Sequence, residues 1–226
     1  MKQQRRFKIG DSVRVRDGVK CPEDARLSLA GFQGRVSEIT KKDGGKTCLC
    51  IEWDSVTLTG LPDTYLERCE QEGYEVSEIC LDAVDVDSAQ PRDTEEEAEA
   101  CADAVRARSF WLGCGDQGAR ILGVIGNIGV EEDEDLFLAW YDSLSSRLVF
   151  PFAAKVCEFQ ERGPYQEGDN LVVLAFAGID DVMGILARVK RRFFKRSFPL
   201  CDLEAVSLPP EMREAIEDYQ TWFANR

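Results

Sequence analysis

The apolar runs of this chain are short and bounded by turn residues, and that limits what it can fold into. The longest, such as LVVLAFAGI at residues 171–179, fall well short of the roughly 20 residues a membrane-spanning helix requires. Hydrophobic residues make up 44% of the 226 positions, enough to build packed cores, and the length suits two small domains. The opening MKQQRRFKIGD has a basic head with no apolar segment behind it, unlike a secretory signal. A cytoplasmic protein with no membrane partner is expected.

The first 90 residues read as short strands separated by turns. FKIGDSVRVRDG alternates Val13 and Val15 with Ser12, Arg14 and Arg16 between Gly10-Asp11 and Asp17-Gly18, the pattern of a half-buried strand. GFQGRVSEI and TCLCIEWD flank the turn KKDGGK as a hairpin. A small SH3-like barrel is the economical arrangement, because closure protects the edges of short strands. Residues 91–105, PRDTEEEAEACADAV, form an acidic linker, either helical or a solvated connector.

Residues 106–226 read as a second barrel followed by a helix. ARILGVIGNIGV has the apolar content of a strand pair, and LFLAWYD and LVFPFAAKVCEF read as further strands. GDNLVVLAFAG and MGILARVKRRFFKRSFPL form another pair turning at IDDV. At the end, Met212, Ala215, Ile216, Tyr219, Trp222 and Phe223 recur at helical spacing behind two prolines, which predicts a C-terminal helix. The expected fold is mainly β with that helix (α+β): a barrel over 1–90, a linker over 91–105 and a second domain over 106–226.

Several function classes are closed by composition. The chain has no histidine, which removes Ser-His and Cys-His catalysis and His-ligated metals. Neither a phosphate-binding Gly-x4-Gly-Lys-Ser/Thr loop nor a dinucleotide fingerprint occurs. The nine cysteines are scattered and odd in number, and most read as small buried apolar residues. Cys48 and Cys50 share one strand face, but no second pair or histidine completes a zinc set. An enzyme is not expected.

A net charge of −14 disfavours nucleic acid and favours cations. Glu131, Glu132, Asp133, Glu134 and Asp135 are consecutive, and their mutual repulsion falls when a hard cation binds between them. A solvated acidic loop has the same sequence. Asp142 and the pair Asp180-Asp181 fall at strand ends, and Glu158 closes the strand after Phe-Pro-Phe. No EF-hand loop is present, so calcium would be held by separated loops. Two basic stretches stand against this background. Arg5, Arg6, Lys8, Arg14 and Arg16 could contact RNA or a protein partner through the first strand. RVKRRFFKR at 188–196 interleaves Phe193 and Phe194 with cations, or is an exposed hairpin face.

The ordered motifs WYDSLSSRLVFPFAAKV, GPYQEGDNLVVL, FPLCDLEAV and AIEDYQTWFANR resemble the cyanobacterial calcium-binding protein family over residues 106–226. The resemblance implies calcium (Ca2+) bound by acidic side chains outside any EF-hand, in a buffering or sensing role. Carried over, the aspartate before the Phe-Pro-Phe strand corresponds to Asp142 and the acidic turn to Asp180 and Asp181. That turn is shorter than the family often shows, and the 131–135 acids would supply the missing charge. KIGDSVRVRDG, AGFQGRVSEI and IEWDSVTLTGLP look like SH3-like barrels and faintly like a KOW motif. The expectation is a calcium-binding protein, with an SH3-like module gripping RNA or protein as the alternative.

Overall fold

The computed structural model describes residues 7–41, 45–126, 133–158 and 163–226. The chain forms two compact units, Met1–Gly115 and Asp116–Arg226.

In the first unit, β1 (Ser12–Val15), β2 (Gln33–Lys41), β3 (Thr47–Trp53), β4 (Glu78–Asp82) and β5 (Val86–Ser88) make an antiparallel sheet in the order β4-β3-β2-β1-β5. The alternation read in β1 holds from Val13 on, with Val13 and Val15 buried and Arg14 and Arg16 facing solvent, but Ser12, expected on the solvent side, is buried and accepts from Gln33 Nε2 at 3.2 Å. Gly34 is required by packing. A Cβ there would collide with the Glu52 carbonyl on β3.

Between β3 and β4 lie two helices that sequence reading did not anticipate, α1 (Ser55–Thr59) and α2 (Asp63–Glu72). Then comes α3 (Glu95–Gly113). Thr94 caps it, with Thr94 Oγ1 accepting from Glu97 N at 3.2 Å and Glu97 Oε2 accepting from Thr94 N at 2.8 Å, a reciprocal box that satisfies two otherwise orphaned donors. The 91–105 segment, read as a linker, thus supplies the start of this helix. Ala102 and Val105 join Leu58, Tyr65 and Leu66 in the core with Val36, Leu49 and Ile51 of the sheet.

In the second unit, α4 (Gly115–Ile125) and α5 (Asp133–Arg147) precede β6 (Phe152–Val156), β7 (Asn170–Asp180), β8 (Gly184–Arg191), β9 (Phe194–Pro199) and β10 (Leu203–Val206). The sheet is antiparallel in the order β10-β6-β7-β8-β9, and α6 (Pro210–Ala224) follows as anticipated. Two expected strands are helices. ARILGVI lies on α4 and LFLAWYD on α5; NIGV of the first falls outside the described residues. In α5 the buried set is Leu136, Phe137, Trp140 and Leu144, a helical stripe that its aromatic content had disguised as a strand.

Two closed barrels were expected, and the described strands form two open sheets instead. Closure is one way to bury a sheet face; a helical layer is another. The second unit uses α5 and α6: Trp140 meets Tyr219 edge-on at 5.7 Å and packs at a tilt 5.6 Å from Trp222, and Tyr219 Oη accepts a hydrogen bond from Ile185 N of β8 at 2.8 Å. Arg120 of α4 grips buried Asp218 of α6 through two bonds of 2.7 and 2.9 Å, so the one buried carboxylate of α6 is paired.

Candidate functional site

The β7–β8 connection is a turn held by its own side chain and backbone. Asp180 pairs with Gly184 across it, and Asp180 Oδ1 accepts from Val182 N and Met183 N at 3.0 and 2.8 Å. Aspartate is favoured in such a turn because its carboxylate stands in for a backbone acceptor. Gly184 closes it at φ +69, where a Cβ would strike Tyr219 Oη and the Phe223 ring. The turn is thereby seated against α6, with the Asp180 Oδ2 oxygen outside these bonds.

Arg226 links this turn to α5. Its guanidinium lies 4.9 Å from the Phe137 ring and 4.6 Å from Phe223, with one nitrogen 3.5 Å from the Asp181 carbonyl. Glu134 and Asp135 stand within a helical turn of Phe137 and are exposed. Acids in the first turn of a helix also stabilise its dipole. That explains much of their presence beside an apolar stripe, independent of any ion.

A chain of contacts carries the same rim onward. Cys201 Sγ lies 4.0 Å from the Met183 carbonyl and 3.4 Å from Asp202 Oδ1. The Asp202 carbonyl accepts from Cys157 N at 2.9 Å, which places Glu158 beside it. Burial and the carboxylates of Glu158, Asp202 and Glu204 push the Cys157 thiol up. Burial and Asp202 likewise push Cys201 up to about 12.

The structure links the Asp180 turn, through Met183, Cys201 and Asp202, to Cys157, the residue before Glu158. It adds Asp202, which sequence reading passed over although CDLE marks it as an acid before a short strand. Asp142 is exposed on α5, where Tyr141 packs on Phe176 of β7 at 5.1 Å. From Asp135 it is seven residues, about 10 Å along the helix, and no described contact joins it to the turn. Asp133 begins α5, but its side chain, with Glu131 and Glu132, lies outside the described residues. Among the described residues these acids do not close into a group of three donors within 4.8 Å; the group that does is Cys50, Glu78 and Cys80. There Cys50 and Cys80, opposite each other on β3 and β4, form a disulfide, where unbonded apolar cysteines had been expected.

The basic first strand offers less. Arg5 and Arg6 lie outside the described residues, and Lys8 and Arg14 are exposed. Arg16 is held by Asp87 through bonds of 3.0 and 2.8 Å. A cleft of about 710 Å³ in this unit is lined by Glu52, Glu75, Glu78, Glu95 and Glu99 against Arg35 and Arg106. Both cations are engaged, Arg35 by Asp93 at 2.7 Å and Arg106 by Glu75 at 3.2 Å. That is a poor surface for a phosphate backbone.

Residues 121–223 match the family described as calcium binding, of the CcbP type. The C-terminal half matches the CcbP calcium-binding family. Two solved structures are similar to the chain. One is a calcium-binding protein in its calcium-binding form, 25% identical over 48% of this chain and 90% of its own, with a TM-score of 0.40. The other is Anabaena CcbP, 24% identical over 47% of this chain and 90% of its own, with a TM-score of 0.40. No curated protein matches the chain. The CcbP match spans α5, the β7–β8 turn and α6, and so contains every acid of the rim.

Proposed function

We propose that this is a non-enzymatic calcium-binding protein, a buffer or sensor, whose C-terminal unit takes the ion outside any EF-hand. The observation that carries the reading is the family match over residues 121–223. The turn supports it: Asp180 and Asp181 lie on a reversal seated against α6, and contacts through Met183 and Cys201 lead from it to Asp202. Calcium takes six to eight oxygens and accepts backbone carbonyls and water among them. Carboxylates can therefore supply the charge while backbone carbonyls and water complete the shell. Glu134, Asp135 and Asp142 add negative field from α5, and Glu131, Glu132 and Asp133 add to the charge of the chain just before them.

Binding to the folded state alone stabilises it, by about 2.7 kcal/mol at a hundredfold excess over the dissociation constant. Thermal melts of the full chain with and without calcium are expected to register that gain. In Asp180→Asn with Asp181→Asn most of it should vanish while the calcium-free melt stays close to the parent, because asparagine keeps the turn's acceptor. A double variant that retains the whole calcium shift would place the ion elsewhere.

A further inference from the structure

Half of the twelve lysines and arginines of residues 116–226 fall within residues 188–196, a stretch with no acid. The β8–β9 hairpin displays them. Lys190 stands opposite Lys195 in the ladder, and Arg191 opposite Phe194, around the apex Arg192-Phe193. Residues 190–197 are all exposed, Phe193 to 95% and Phe194 to 69%. Arg191 is paired with Asp169 at 2.6 Å. No carboxylate pairs with Arg188, Lys190, Arg192, Lys195 or Arg196 among the described residues.

Each feature runs against stability. Like charges directly opposite in a ladder repel. Arg192 holds φ +54, a conformation that glycine or asparagine adopts more readily. Two exposed phenylalanines at an apex invite aggregation. Protection of the edge strand β9 accounts for its Lys195 and Arg196, but the apex rings work against that role.

We propose that this hairpin is a docking element for anionic membrane surfaces, with Phe193 and Phe194 entering the interface and Arg188, Lys190, Arg192, Lys195 and Arg196 meeting lipid phosphates. Charge complementarity and the apolar apex select this partner. Amphipathic insertion needs an apolar tip ringed by cations, and the direction of the two rings from the apex is immaterial to it. Stacking on single-stranded nucleic acid needs aromatic rings set along a basic groove. Here the exposed face carries Lys190 and Lys195 beside Val172 and Ala153, with no ring among them. Among the described residues no helix is long and apolar enough to cross a membrane, which bears on spanning and not on surface docking.

The proposal is independent of the calcium reading and is tested with a chelator present. The full chain is sedimented with vesicles of phosphatidylcholine alone and of phosphatidylcholine with phosphatidylserine. Binding to the anionic vesicles only is expected. It should weaken about tenfold or more in Phe193→Ser with Phe194→Ser and be lost in Lys190→Glu with Lys195→Glu. Phe193→Ser alone, at the most exposed site, gives an intermediate loss and guards against a misfolded double variant. No binding, equal binding to neutral vesicles, indifference to the phenylalanine changes, or retention by a single-stranded RNA in place of vesicles would overturn it.

Discussion

Trp140→Ala is expected to destabilise the C-terminal unit by about 4 kcal/mol, the range for deleting a buried aromatic. Trp140 is 1% exposed and joins α5 to Tyr219 and Trp222 of α6. Tyr219 in turn anchors β8 just past the Asp180 turn. The cavity would thus loosen the joint between the helices and the rim, and Trp140→Phe should cost much less. Denaturant titration followed by tryptophan emission, with calcium absent, measures both. A loss under about 1 kcal/mol for the alanine variant would mean that α5 does not pack as described.

The second large effect lies in the first unit. Cys50 and Cys80 are bonded across β3 and β4 at a sequence separation of 30, and closing a loop of that length stabilises a fold by about 3–4 kcal/mol. Adding reductant should lower the unfolding free energy of the parent by that much. The double variant Cys50→Ser with Cys80→Ser should start from the lowered value and not respond. A parent indifferent to reductant would show that the two thiols are not joined.

What could be read in advance follows from the range of the interactions. The β1 strand, the β2–β3 hairpin and α6 are written in local periodicity and turn residues, and they stand where expected. The Asp180-Asp181 turn was legible for the same reason, since two acids between apolar runs mark a reversal. Periodicity misled where composition competed with it. In α5 the aromatic residues suggested a strand, although Phe137, Trp140 and Leu144 keep helical spacing and the preceding acids suit a helix start. Long-range pairings left no local trace. Nothing near Cys50 announces Cys80, nothing near Arg120 announces Asp218, and the helices that cover each sheet in place of barrel closure are set by tertiary packing. Asp202 reaches the rim through Cys157 and Cys201, a contact between distant segments that no motif spacing encodes.

The same distinction orders the acids. Charge density at 131–135 is conspicuous in the sequence, yet a helix N-terminus accounts for Glu134 and Asp135 without any ion. The turn at Asp180 is less conspicuous, but it is fixed on three sides by Tyr219, Phe223 and its own backbone bonds. Rigidity of the donors favours selective ion binding over diffuse attraction.

The most direct measurement is a calorimetric calcium titration of the full chain, repeated against a large excess of magnesium at near-physiological salt. The account predicts saturable binding with a dissociation constant of about millimolar or tighter, retained in magnesium because the smaller ion demands a stricter octahedral shell. Absence of heat, or equal and unsaturable uptake of both ions, would contradict it and leave the rim as a solvated acidic edge.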